Sequence, residues 1–216
     1  MTKLFRFLSS AAVVVSLVSL GAGCDGGGGG GGNSAPDVGD NDINTVLCVG
    51  DSITDGECVP AGAPYPSRLG GLTGKRVVNA GACGEKSGGG AERIGGLLAR
   101  HKPGYVCILY GANDAIFDRD IGNVDSHLRT IVQACLDNKS VPIIATLTPL
   151  YDGHAFARGS AREISADIRG LAKEMGARLA DLENEFGSNR DFIQDDGLHP
   201  SDSGTQLIAL TFNDRI

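Results

Sequence analysis

Five short apolar runs alternate with longer helical patterns between Thr45 and the C-terminus, and few folds accommodate that alternation. Each short run is apolar enough to be covered on both faces, which is typical of strands in a parallel sheet. In the longer segments, apolar residues recur at three- and four-residue spacings, which predicts helices. The sequence therefore predicts an α/β fold, a three-layer α/β/α sandwich with a five-stranded, mostly parallel, flavodoxin-like sheet.

The same pattern sets the bounds of the predicted elements. Strands are predicted over Thr45–Val49, Arg76–Asn79, Tyr105–Tyr110, Val141–Leu147 and Arg178–Leu182. Helices are predicted over Glu92–Ala99, Val124–Leu136, Ala161–Met175 and Ser203–Phe212, with Ser203 as a candidate N-cap of the last.

Polar or glycine residues follow every predicted strand. In an open parallel sheet, ligands bind outside the carboxyl ends of the strands, so we expect these residues to lie along one edge. Residues without a function would be divided between the two edges, and this clustering favours a functional site. The residues are Ser52, Gly81 to Gly84, Gly111 to Asp114, Thr148 and Pro149, and Asp196 to His199.

Three of these residues supply the groups of a serine hydrolase. A serine hydroxyl such as that of Ser52 is a weak nucleophile until an imidazole takes its proton, and a carboxylate must hold that imidazole in one tautomer. Asp196 lies three residues before His199, so one short turn is able to present both. Each motif alone is weak, because Gly-Asp-Ser is a common turn and a histidine after a turn is often solvated. Their joint occurrence predicts nucleophilic catalysis.

Four sequence blocks resemble those of the SGNH (GDSL-type) hydrolase family, in the same order. They are Gly50-Asp51-Ser52-Ile53-Thr54, Asn79-Ala80-Gly81-Ala82-Cys83-Gly84, Gly111-Ala112-Asn113-Asp114 and Asp196-Gly197-Leu198-His199-Pro200. The resemblance implies the SGNH hydrolase fold over residues 45–216, with Ser52 as nucleophile, His199 as base and Asp196 as the group that orients it. It also implies an oxyanion hole made by the backbone N–H groups of Ser52 and Gly84 and by the amide of Asn113.

The second block leaves one assignment open, because Gly81 is a second glycine able to supply the oxyanion N–H in place of Gly84. Ile53 stands where the family's best-known signature has leucine, a change that leaves the nucleophile untouched. Three aspartates beside the motifs, Asp51, Asp114 and Asp195, are interpreted as structural or solvated groups.

The N-terminus resembles an export signal. Lys3 and Arg6 precede an apolar run from Phe7 to Leu20, which predicts a signal peptide over residues 1–23. Leu20-Gly21-Ala22-Gly23-Cys24 resembles a bacterial lipobox, although its leucine lies one residue too early. Residues 24–44 then form a glycine-rich linker. We expect an exported protein of the cell envelope that contacts the membrane through a lipid on Cys24; a secreted protein is the alternative.

The net charge, the cysteines and the histidines limit which partners, disulfides and cofactors are expected. Without residues 1–23 the chain has 17 basic and 26 acidic residues, a formal charge of −9, which argues against nucleic acid as a partner. Cys48, Cys107 and Cys135 fall in apolar patterns and are expected to be buried. Cys58 and Cys83 lie in predicted loops and are candidates for a disulfide in an oxidising compartment.

The histidines lack metal-ligand spacing and no nucleotide motif is present, so we expect no cofactor.

The substrate class is less constrained than the chemistry. The chain has no tryptophan, which leaves little material for a sugar-stacking surface, and no long apolar insertion for a lipid channel. We expect a small ester or acylated carbohydrate, with a short acyl or acetyl group. A lysophospholipase or thioesterase is the alternative among enzymes, and a catalytically silent, membrane-tethered binding module is the alternative outside them.

Overall fold

The computed structural model describes residues 35–56, 64–118 and 120–216. Residues Pro36–Ile216 form one compact unit. The predicted signal peptide, Cys24 and Cys58 lie outside the described residues, so the predictions of export, lipidation and a disulfide stay predictions.

A five-stranded parallel sheet forms the centre of the unit, as predicted. Its strands are β1 (Asp42–Gly50), β2 (Arg76–Gly81), β3 (Pro103–Leu109), β4 (Val141–Ala145) and β5 (Arg178–Ala180), in the order β2-β1-β3-β4-β5. Every pair is parallel. All seven residues of β3 are buried, because helices cover both faces of the central strands.

The observed first strand is longer than its apolar run. β1 begins at Asp42, whose backbone N–H donates to the carbonyl of Lys102 at 2.9 Å. Residues 42–44, which the sequence places in the linker, therefore belong to the strand. Their side chains are mostly exposed, so hydrophobicity carried no signal for them.

Eight α-helices and two 3₁₀ helices surround the sheet in the described part of the chain. They are α1 (Ser52–Asp55), α2 (Tyr65–Thr73), α3 (Ser87–His101), α4 (Ala112–Phe117), α5 (Val124–Asp137), α6 (Arg158–Met175), α7 (Leu182–Phe186) and α8 (Asp202–Asn213), with 3₁₀ helices at Asp152–Ala157 and Arg190–Phe192. Among these described helices, none has the length and apolar character that a bilayer span requires.

The last helix is capped by Ser201, and the prediction of Ser203 as its N-cap is wrong. Ser201 has extended backbone angles and its hydroxyl accepts from the N–H of Gly204 at 3.2 Å. This arrangement is the usual N-cap geometry, in which a side chain before the helix binds an N–H that has no partner in the first turn. Ser203 already lies inside that turn.

The direction of winding reverses at β1. The chain leaves β1 toward β2 at one side and then passes through β3, β4 and β5 at the other. Because such crossovers are right-handed, α2 covers one face while α3, α5 and α6 cover the other. α8 packs beside α2, where the rings of Tyr65 and Phe212 stack at 5.3 Å. The carboxyl ends of β1 and β3, which flank this reversal, are the usual ligand position in such sheets.

Candidate active site

Ser52 lies at the carboxyl end of β1, as the first residue of α1. Asp51 caps this short helix, because its Oδ1 accepts from the N–H of Ile53 at 2.9 Å. Ser52 Oγ lies 3.0 Å from His199 Nε2. Within the described chain no acceptor contacts the backbone N–H of Ser52, which leaves that donor available beside the hydroxyl.

Asp196 and His199 form one hydrogen-bonded turn. His199 Nδ1 lies 2.6 Å from Asp196 Oδ2, and Asp196 Oδ1 accepts from the N–H groups of Leu198 and His199 at 2.9 and 3.0 Å. Partial burial raises the pKa of Asp196, but these three hydrogen bonds outweigh it and hold the pKa below its ordinary value. An ionised Asp196 keeps the proton on Nδ1, so Nε2 faces Ser52 as an acceptor.

The position of this turn depends on a close backbone approach at Gly197. Its φ is +76°, and a Cβ there would lie 2.1 Å from the carbonyl oxygen of Tyr151. The N–H of Tyr151 donates to the Gly197 carbonyl at 2.7 Å, and His154 Nδ1 donates to the Asp196 carbonyl at 2.9 Å. The loop after β4 thus holds the turn in place. Sequence reasoning missed Tyr151 and His154, because neither belongs to a motif.

Asn113 is the second residue of α4 and is buried at the end of β3. Its Nδ2 donates to the carbonyl of Glu85 at 3.1 Å. An amide nitrogen has two N–H donors, so this contact fixes the side chain and leaves the second donor available. No motif pointed to Glu85, although it directly follows Gly84.

Gly84 lies in the turn after β2, with a φ of +72° that favours glycine. Among the described residues no acceptor contacts its N–H. The N–H of Gly81, by contrast, donates to Asn79 Oδ1 at 2.9 Å. A Cβ on Gly81 would lie 2.1 Å from the backbone nitrogen of Asp55, so this glycine permits packing against α1. These contacts favour Gly84 over Gly81 as the oxyanion donor.

Two of the three neighbouring aspartates are structural. Asp51 is the cap described above. Asp114 is buried and accepts from the N–H and the hydroxyl of Ser87 at 3.0 and 2.6 Å, which joins α4 to the start of α3. Asp195 is exposed to solvent.

The described cysteines have the burial that the sequence predicted for them. Cys48, Cys107 and Cys135 are fully buried, as predicted. Cys83 is exposed and its Sγ lies 3.9 Å from Asp55 Oδ2. In the described ranges, no group of three or more histidine, cysteine, aspartate or glutamate side chains is arranged to hold a metal ion.

Asp51 should make stability depend on pH. Burial is the main cause that raises its pKa from 3.8 to about 7, and the charge of Asp114 adds to it. The folded state therefore binds this proton more tightly than the unfolded state, so stability falls as the pH rises from about 4 to about 7, by an amount on the order of 4 kcal/mol.

Asp51→Asn keeps an acceptor for the N–H of Ile53 but does not ionise. We expect the melting temperature of wild type, relative to Asp51→Asn, to fall between pH 4 and pH 8. Calorimetry across that range checks this, and a difference independent of pH would contradict it.

Comparison with known proteins identifies the family. A family model described as GDSL-like lipase/acylhydrolase matches residues 48–207. The chain is 30% identical over 103 residues to thioesterase 1/protease 1/lysophospholipase L1 of Escherichia coli (strain K12). That match covers 47% of this chain and 50% of the relative, so the chain spans about half the length of the curated relative it matches.

Solved structures share the fold. A lipase/acylhydrolase from Enterococcus faecalis superposes with a TM-score of 0.70 at 26% identity, over 80% of this chain and 94% of that chain. An acetyl-xylooligosaccharide esterase from Geobacillus superposes with a TM-score of 0.67 at 21% identity, over 78% and 91%. Because the family model extends from β1 to the last helix, the protein belongs to the GDSL-like lipase/acylhydrolase family.

Proposed function

We propose that the protein is a serine esterase that hydrolyses carboxylic esters through an acyl-enzyme on Ser52. One observation carries the proposal: Ser52 Oγ lies 3.0 Å from His199 Nε2 while His199 Nδ1 lies 2.6 Å from Asp196 Oδ2. This is the contact pattern of a nucleophile, a base and the group that orients the base.

In the proposed reaction, His199 takes the Ser52 proton as Oγ attacks the ester carbonyl. Negative charge develops on the carbonyl oxygen, where the N–H groups of Ser52 and Gly84 and the amide of Asn113 donate to it. The tetrahedral intermediate collapses, and His199 passes its proton to the leaving alcohol. Water activated by His199 then attacks the acyl-enzyme, which releases the acid and restores Ser52.

The preferred substrate is an ester with a short acyl group. Residues 110–111 connect β3 to the short helix Ala112–Phe117, and residues 146–151 connect β4 to the short helix Asp152–Ala157, so neither connection is a long apolar insertion. A long acyl chain would need apolar surface beside Ser52 to gain binding energy, about 0.8 kcal/mol for each buried methylene.

A lysophospholipase or thioesterase is the second candidate, and two side chains favour it. Phe117 at the end of α4 is 65% exposed, and Phe156 in the Asp152–Ala157 helix is 72% exposed. These two elements contact each other, and they adjoin Asn113 and the loop that holds Asp196. Exposed apolar groups beside a catalytic centre are able to contact a longer acyl chain.

A series of p-nitrophenyl esters from acetyl to dodecanoyl separates these candidates. We expect kcat/KM to be highest for acetyl or butyryl and to decline with chain length. Acetylated xylan, lysophosphatidylcholine and a long-chain acyl thioester extend the series, with Ser52→Ala as the blank for each. A maximum at dodecanoyl that Phe117→Ser and Phe156→Ser both reduce would favour the second candidate. Folded protein that hydrolyses none of these substrates would indicate a silent binding module.

A further inference from the structure

Three side chains meet beneath the proposed oxyanion hole, and we call Glu85, Arg93 and Tyr110 the Glu85 cluster. Glu85 Oε2 accepts from Arg93 Nε at 2.8 Å and from the hydroxyl of Tyr110. The same hydroxyl accepts from Arg93 Nη2 at 2.7 Å. The three groups thus form a closed triangle of hydrogen bonds. The reaction proposed above uses none of them.

Each member of the cluster is tied to a loop that carries a proposed oxyanion donor. Glu85 follows Gly84 directly, and its carbonyl accepts from Asn113 Nδ2 at 3.1 Å. Tyr110 directly follows β3 and precedes Gly111, after which α4 begins with Asn113 as its second residue. Arg93 Nη2 donates to the carbonyl of Gly50 at 3.4 Å, just before the nucleophile turn. The loops after β1, β2 and β3 therefore share one anchor.

The anchor is rigid because it is charged and largely buried. The Glu85 and Arg93 side chains are mostly shielded from water, and Tyr110 is fully buried. Hydrogen bonds between ionised groups are about twice as strong as neutral ones, and shielding strengthens them further. The ring of Tyr110 also packs closely against the backbone of α3 at Gly90, where an added Cβ would lie only 2.6 Å from the ring.

Oxyanion donors stabilise a transition state only when they are fixed before the reaction, because donors that must reorganise lose the advantage. Gly84 has open space where a side chain would be, and its turn is exposed. Two backbone hydrogen bonds hold the turn, from the N–H of Ala82 to the carbonyl of Gly50 at 2.9 Å and from the N–H of Glu85 to the carbonyl of Ala82 at 3.1 Å. Neither of them involves the Gly84 N–H. The adjacent Glu85 side chain adds the ties that join this turn to α3 and to the residue after β3.

We propose that Glu85 is a positioning residue, which through Arg93 and Tyr110 holds the Gly84 N–H and the Asn113 amide in register with each other. It does not touch the substrate. The inference rests on the proposed esterase function and adds to it the residue that arranges two of the three oxyanion donors.

A double-mutant cycle on p-nitrophenyl acetate tests this role. Glu85→Ala removes the carboxylate and keeps the carbonyl that Asn113 contacts. We expect kcat to fall about 10- to 100-fold, with KM within about twofold, because donors are displaced while ground-state binding is kept. Asn113→Ala should lose about 10²- to 10³-fold in kcat. The double variant should lose clearly less than the product of the two single losses, because the part of the Glu85→Ala effect that acts through Asn113 is already lost and only the part that acts through Gly84 remains.

Glu174→Ala is the matched control. Glu174 also pairs with an arginine, Arg129 at 2.7 Å, but this exposed pair joins α5 to α6 away from the sheet edge. It should leave kcat unchanged. Losses that multiply fully in the Glu85 and Asn113 double variant, or an unchanged kcat in Glu85→Ala, would overturn the inference while leaving the esterase proposal intact.

Backbone amide hydrogen exchange tests the positioning role of Glu85 independently of enzyme activity. Glu85→Ala should exchange faster than wild type at residues 82–86 and 111–116 and equally at residues 161–175. Should Glu85→Ala fail to fold, Tyr110→Phe removes only the hydroxyl and should show the same pattern. Faster exchange in a protein that hydrolyses no ester would refute the esterase proposal and keep the anchor. Unchanged exchange in both loops would refute the anchor.

Discussion

Replacing Ser52 by alanine is expected to abolish both ester hydrolysis and covalent labelling by a fluorophosphonate probe. The reaction proposed here passes through a bond to Ser52 Oγ, and without that oxygen no acyl-enzyme forms. The oxyanion donors would remain, so the only hydrolysis left should be the slow attack of a solvent hydroxide on an ester held by those donors. An end-point assay with p-nitrophenyl acetate measures the loss of hydrolysis. In-gel fluorescence of the probe-treated protein measures the loss of labelling.

Ser87→Ala is the matched control for labelling. Ser87 is another serine whose Oγ contacts a histidine, at 3.0 Å from His127 Nδ1. It is fully buried and its hydroxyl donates to Asp114, so a probe cannot reach it. Ser87→Ala should therefore still label. Labelling or turnover that survives in Ser52→Ala and disappears in Ser87→Ala would place the nucleophile elsewhere.

Asp196→Asn should reduce kcat by about 10⁴-fold, the loss that the equivalent change causes in Ser-His-Asp proteases. Asparagine keeps an oxygen able to accept from the N–H groups of Leu198 and His199, so the turn should survive. Its amide donates to His199 Nδ1, however, and that favours the tautomer whose proton is on Nε2. A protonated Nε2 cannot take the proton of Ser52. Steady-state kinetics at neutral pH measures the effect.

Asp195→Asn makes the same change of charge one residue earlier. Asp195 is exposed, so this variant should retain wild-type kcat. Equal losses in the two variants would mean that the local negative charge matters rather than the contact with His199. Less than a tenfold loss in Asp196→Asn would show that His199 needs no orienting carboxylate. In that case the role proposed for Asp196 would be wrong.

Much of the fold was determined by patterns visible along the chain. Buried strands and crossover helices have different hydrophobic periods, so the five strands, including β3, and the long helices α3, α5, α6 and α8 could be predicted. Their alternation implied a parallel sheet, which the structure confirms. The rule that ligands bind at the carboxyl ends of such strands then placed Ser52, Asn113 and His199 on one edge.

Tertiary structure alone decided the shorter elements. Helices α1, α4 and α7 span four, six and five residues, too few for a hydrophobic period to emerge. Isolated helices of that length are not stable in water, so contacts with the rest of the fold must hold them. Helices α1 and α4 nevertheless carry Ser52 and Asn113, and the local sequence could not show how the donors of these two residues would be oriented.

The choice between Gly81 and Gly84 was likewise beyond the sequence, because both glycines fit the same loop. Contacts in the folded chain favour Gly84: Asp55 packs against Gly81, and Asn79 Oδ1 accepts from the Gly81 N–H. The Glu85 cluster joins residues 8 and 25 positions apart along the chain. Local patterns determined which groups the chain carries to the sheet edge, whereas their orientation depended on long-range packing and hydrogen bonds that exist only once the sheet has assembled.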